Sequence, residues 1–175
     1  MRKLLLAKNT AASLIAQITT LICGFILPRL FLQHYGSEVN GLVNSISQFL
    51  SVIAFLELGV GAVVQSSLYK PLAEKDNQQI SKVMVSANKF FQRLARILLV
   101  YVISLMIIYP YIANQNFGFI YTATLIAAIS ISSFAQYYFG IVNSLLLNAD
   151  QRGYIQYNAQ TVTIILNTIV CAIMI

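Results

Sequence analysis

The sequence predicts an all-α fold, a polytopic transmembrane bundle of about five spans, and three observations lead there. Of 175 residues, 58% are apolar and 9% charged, whereas a water-soluble domain carries about 25% charged residues. So few ionised groups do not cover a water-facing surface. The apolar residues are gathered into runs long enough to cross a hydrocarbon core of about 30 Å at 1.5 Å of rise per residue. The basic residues, finally, are gathered in every second break between those runs, on one side. Eight Gly, three Pro and two Cys exclude collagenous, disordered and disulfide-rich secreted classes.

The first element begins after Lys8-Asn9-Thr10. The short apolar stretch ahead of it is too brief for a secretory h-region of about 7 to 15 residues, so the first span is read as retained. The runs cover residues 10–31, 40–68, 90–113, 119–147 and 159–175, all within one membrane domain, 1–175. The breaks carry turn chemistry, at His34 to Glu38, Lys70 to Gln79, Asn114 to Gly118 and Asn148 to Gly153. No period-2 alternation at barrel spacing occurs, and helices satisfy their own backbone hydrogen bonds in lipid. The last run ends without a basic flank, so the chain is expected to be the first portion of a longer bundle, half of a six-helix lobe and more.

Orientation follows from the cations. Arg2, Lys3, Lys8, Lys70, Lys75, Lys82, Lys89, Arg93, Arg96 and Arg152 fall on one side, and only Arg29 lies toward the other. The positive-inside rule then predicts a cytoplasmic N-terminus in a multi-pass membrane protein. The net charge of +6 is thereby assigned to topology, and a nucleic-acid partner is not expected. Cys23 and Cys171 lie in apolar runs, and His34 is the only histidine, so neither a disulfide nor a metal site is expected.

Polar residues inside the spans are the candidate functional groups, because in lipid they face a neighbouring helix or a wet cavity. In the first span Thr10, Ser13, Gln17, Thr20 and Gly24 recur at steps of three and four, forming one stripe. In the fourth, Ser133, Gln136, Gly140, Asn143 and Ser144 do the same. Such stripes serve as packing seams or as the wall of a hydrophilic cavity, and amides as long as Gln17 and Gln136 exceed what a seam needs. The second span carries Asn44, Gln48 and Ser51 on one face and Glu57 on another.

Two ionisable residues sit at membrane depth. Arg29 is either a snorkelling anchor or a cationic contact for an anionic head group, and Pro28 before it is expected to kink the helix. Glu57 is either a structural carboxyl or a coupling site for a proton or ion, with Gln17 or Ser13 as its expected neighbour. Lys89, Arg93 and Arg96 line one helix face where the third span begins. They either anchor that helix among anionic lipids or receive a lipid pyrophosphate from the cytoplasmic side. No nucleophile with a nearby histidine and no phosphate loop occurs in the sequence, so an enzyme is not expected and no cofactor is called for.

Leu27-Pro-Arg-Leu-Phe-Leu-Gln-His-Tyr-Gly36-Ser-Glu-Val-Asn-Gly41-Leu, followed by Leu56-Glu-Leu-Gly59-Val, Leu68-Tyr-Lys-Pro-Leu and Leu147-Asn-Ala-Asp-Gln-Arg-Gly-Tyr-Ile155, resembles the N-terminal portion of polysaccharide repeat-unit flippases. These are oligosaccharide/polysaccharide transporters of the multidrug/oligosaccharidyl-lipid/polysaccharide exporter superfamily. The resemblance implies twelve to fourteen helices in two six-helix bundles around a central cavity, with Arg29 as the position matching the family's cavity cations. It implies movement of an undecaprenyl-pyrophosphate-linked oligosaccharide between leaflets for capsule or other surface polysaccharide. The implied partners are membrane lipids, the lipid-linked oligosaccharide and the polysaccharide polymerase machinery. On this reading the 175 residues alone are expected to be inactive. The competing expectations are a cation-coupled drug antiporter of the same superfamily, with Glu57 as its coupling carboxyl, and a non-transporting membrane remnant or assembly subunit.

Overall fold

The computed structural model describes residues 2–112 and 117–174. It is all-α, as the composition and periodicity require, and no strand occurs among the described residues. The helices are α1 (Arg2–Glu74), α2 (Asn77–Ile112), α3 (Phe119–Ala135), a π-helical turn (Gln136–Gly140), α4 (Ile141–Ala149) and α5 (Gly153–Met174). Stretches in α1, in α2 and in α3 continued through α4 are long and apolar enough to cross a membrane: Leu5–Ala54, Asn77–Tyr111 and Phe119–Ala149. Their surfaces suit that solvent. Phe25, Tyr111 and Ile120 are each at least 78% exposed, a display of large apolar side chains that water does not favour and lipid accepts.

The joints are shorter than the turn-forming residues suggest. Between the first two apolar runs the break contracts to Gly36, at φ 78° and ψ 174°. That backbone region is essentially restricted to glycine, which explains why the bend falls there. The helical backbone runs through Pro28, whose missing N–H is tolerated in a membrane helix when the freed carbonyl is satisfied nearby. The next break contracts to two residues. Lys75 takes a left-handed conformation (φ 56°) and ends α1. Asp76 then caps α2, its carboxylate accepting the backbone N–H of Gln79 at 3.0 Å, which satisfies one of the orphan donors of a helix start. Of the expected loop from Asn114 to Gly118, residues 114–116 lie outside the described residues.

The chain forms two compact units, Met1–Gly41 with Leu147–Ile175, and Leu42–Leu146. In the second unit α2 packs on α3 and on the π turn. Ala87, Phe91, Leu94, Ala95 and Leu98 form the buried stripe of α2, at helical steps of three and four. Thr122, Ile126 and Ser130 are its buried counterpart on α3. Small residues among the large ones let the backbones approach, and van der Waals contact then holds helices that lipid alone does not drive together. Tyr101 adds a specific link, its hydroxyl donating to the carbonyl of Phe49 at 3.0 Å. In the first unit the buried apolar side chains of α1 are small: Ala12, Ala16 and Cys23.

Candidate functional site

The polar stripe of the first span faces a groove in the first unit. The groove begins where α5 starts. Asn9 near the beginning of α1 donates its amide to the carbonyl of Gln151 at 2.8 Å and accepts the backbone N–H of Tyr154 at 2.8 Å. It therefore caps α5 from a distant part of the chain, satisfying a donor that no residue of α5 reaches. Gln151 adopts a left-handed conformation (φ 58°), and the N–H of Arg152 returns to the carbonyl of Leu147 at 2.8 Å, which closes α4. Gly153 gives room to Asn148: a Cβ there would lie 2.7 Å from its Oδ1, and that side chain would have to shift. Asn148 in turn donates to Oε1 of Gln156 at 3.3 Å.

Beyond this clasp a cavity of about 320 Å³ is lined by Asn9, Thr10, Ser13, Asn148 and Tyr157 among others. It adjoins a second, of about 450 Å³, that shares Ser13 and Tyr157 with it and extends along Gln17, Thr20 and Gln160. The two make one path from residue 9 to residue 20 of α1, about 16 Å at helical rise. The stripe is thus a cavity wall along this stretch. The hydroxyl of Thr20 donates to the carbonyl of Ala16 at 2.8 Å, so its lone pairs stay available to the groove. Gly24, the last member of the stripe, is exposed.

The groove's chemistry is that of neutral hydrogen bonding. Among the described residues no charged side chain lines either cavity, while amides and hydroxyls supply donors and acceptors together, and the Tyr157 ring supplies an apolar face. Cations stand near its mouth instead. The Lys8 ammonium lies 6.0 Å from the centroid of the Tyr154 ring, a cation–π distance, and Arg152 pairs with Asp150 at 2.9 Å. Such a surface suits a polyhydroxylated molecule, whose hydroxyls both give and accept hydrogen bonds.

The other candidates are placed differently. Arg29 is exposed on α1 and lines neither cavity of the groove. Asn44 and Gln48 are exposed, and Gln48 lends its backbone carbonyl to the hydroxyl of Ser51 at 2.7 Å. Glu57 lies beside the hydroxyl of Tyr137 in the second unit. Lys89, Arg93 and Arg96 are all exposed on α2.

The stripe expected along the fourth span crosses a π turn over Gln136–Gly140, which takes more than four residues per turn, so positions after it are rotated relative to those before it. Gln136 is exposed, whereas Tyr137 beside it is buried. Asn143, past the turn, meets Asn88 and Gln92 of α2 around a cavity of about 300 Å³, and its amide donates to the carbonyl of Phe139 at 3.2 Å.

Four groove residues escaped the sequence reading: Asn9, Asn148, Tyr157 and Gln160. Tyr157 and Gln160 fall in a polar stretch, Gly153 to Gln160, that overlaps the start of the last apolar run at Ala159. The structure makes it the first two turns of α5.

Three membrane-length helices and a hydrogen-bonding groove within a helical unit define the class: a helical membrane protein with a polar path along one of its packed faces. Comparison of the chain with protein-family models, with curated proteins and with solved structures gives no match.

Proposed function

We propose that this membrane protein acts in translocating undecaprenyl-pyrophosphate-linked oligosaccharide units across the bacterial cytoplasmic membrane for capsule or other surface polysaccharide, with its N-terminus in the cytoplasm. The observation that carries this reading is the uncharged groove between α1 and α5. Gln17, Thr20 and Gln160 are exposed along it, and amides and hydroxyls set at the edge of a lipid phase cost free energy unless something hydrogen-bonds to them, a role that sugar hydroxyls fill. The ordered motifs from Leu27 to Ile155 support the same reading. Arg29 is proposed as a contact for the anionic head group, apart from the sugar groove.

The test is complementation. The reading frame that encodes this sequence, expressed in a strain deleted for its repeat-unit flippase, is expected to restore surface polysaccharide. The double variant Q17L/Q160L, which removes two groove amides at similar volume, is expected to lower the restored amount about tenfold, the worth of one or two neutral hydrogen bonds. No restoration despite verified membrane expression rejects the proposal.

The antiporter reading has one specific observation in its favour, the carboxyl of Glu57 beside the Tyr137 hydroxyl at the π turn. Such turns frequently occur at functional sites. Drug resistance that disappears in Glu57→Gln, with surface polysaccharide unaffected, favours it.

A further inference from the structure

The cations of α2 stand in a setting that the sugar groove does not explain. Among the described residues the ion pairs are Lys70 with Glu74 and Arg152 with Asp150. Lys89, Arg93 and Arg96 are therefore left without a carboxylate, although three uncompensated charges lie within eight residues of one helix. Below the arginines the character of the helix changes abruptly. From Ile97 to Ile112 no ionisable group other than tyrosine occurs, a length of about 24 Å that fits most of a hydrocarbon core. Arg93 and Arg96 consequently fall where lipid head groups lie.

At that boundary a groove of about 590 Å³ runs along α2, lined by Arg93, Arg96, Ile97, Val100 and Tyr101. These positions follow steps of three and four, so they share one face, with the guanidiniums at one end and apolar side chains at the other. Two contacts set its ends. The Nε of Arg96 donates to the carbonyl of Gln92 at 3.4 Å, which leaves its terminal nitrogens for a ligand. Tyr101 is held by its hydrogen bond to the Phe49 carbonyl, so its ring forms a fixed floor.

We propose that this groove binds a single anionic glycerophospholipid, its phosphate received by Arg93 and Arg96 and one acyl chain laid along Ile97 and Val100 to Tyr101. Charge complementarity selects the head: guanidinium forks match phosphate oxygens, and no neighbouring carboxylate competes. The lining selects the source. One helix face forms the whole groove and leaves it open to the bilayer along its length, as suits a resident bilayer lipid more than a carried substrate. Lys89, one turn further out, adds to the attraction without lining the groove. The proposal is independent of the oligosaccharide reading, since it concerns different residues in a different unit.

Native mass spectrometry of the detergent-solubilised protein, offered phosphatidylglycerol and phosphatidylcholine at equal concentration, tests it. The wild type is expected to retain phosphatidylglycerol about tenfold over phosphatidylcholine, in keeping with the attraction of basic residues for anionic lipid. R93Q/R96Q is expected to abolish the preference, while K75Q/K82Q, an equal loss of charge elsewhere, leaves it intact. V100W fills the apolar end and is expected to weaken retention about threefold with the charge unchanged, which keeps the test decisive if the arginine variant loses its helicity. Preference that survives R93Q/R96Q, or that falls equally in K75Q/K82Q, overturns the proposal in favour of diffuse attraction. Displacement of bound phosphatidylglycerol by equimolar undecaprenyl phosphate overturns it in favour of a polyprenyl site. Displacement by millimolar inorganic phosphate, with V100W without effect, reduces it to a free-anion site.

Discussion

The two units bury different things. In the unit from Leu42 to Leu146 large apolar side chains are buried, Phe91, Ile46, Leu68, Leu98 and Ile126, each below 2% exposed. In the unit that joins the start of α1 to α5, the buried apolar residues of α1 are Ala12, Ala16 and Cys23, and polar groups line the space beside them. The difference separates two ways of holding helices in lipid. Large interdigitated side chains give many dispersion contacts. Small residues let helices approach along one edge, and a few directed hydrogen bonds then fix a structure that still contains a groove.

Removing the most buried ring is the most forceful way to break the comparison. Phe91→Ala is expected to destabilise the protein by about 3 kcal/mol, through the cavity it leaves. Phe25→Ala, in the other unit at a position 78% exposed, is expected to change stability by less than about 0.5 kcal/mol. Thermal unfolding in one detergent checks both. Equal effects would mean that the units are not packed differently.

The polar clasp gives the converse test. Asn9→Ala strands the Tyr154 N–H and the Gln151 carbonyl together and is expected to cost about 1 to 2 kcal/mol. Limited trypsin digestion reads it locally, since Arg152 lies inside the clasped turn: cleavage there should accelerate in the variant, while cleavage at Arg93 and Arg96 stays unchanged. Acceleration at all three sites would show that the clasp supports more than its own unit.

The smallest expected effect sharpens the picture of the packed unit. The hydroxyl of Thr122 is buried and has no hydrogen-bond partner among the described residues, so among them it contributes shape but no bond. Thr122→Val removes the unpartnered group at nearly constant volume and is expected to leave stability unchanged or raise it by about 1 kcal/mol. A loss in the same unfolding assay would show that the hydroxyl has a role beyond filling space.

Much of the architecture was legible in the order of the residues. Helical period, scarcity of charge and the segregation of cations depend on what each residue is and where it stands in the chain, which is why the all-α class and the apolar runs follow from sequence. The stripe from Thr10 to Thr20 was legible for the same reason, because it lies on one unbroken helix. The π turn that the stripe from Ser133 to Ser144 crosses was not, since nothing in Gln136-Tyr-Tyr-Phe-Gly140 announces it. Gly36 was correctly placed at a break, but how short that break is depends on a single glycine conformation that composition does not specify.

The chain order therefore determined which solvent this protein meets, because burial in lipid is a property of long segments and sums over many residues. Tertiary structure decided which polar residues share a space. Asn9 reaches Tyr154 across 145 positions, and Tyr157 and Gln160 face Ser13 and Gln17 from the opposite end of the sequence. Contacts between such distant positions arise from how helices pack, and the spacing of residues along either helix carries no record of its partner.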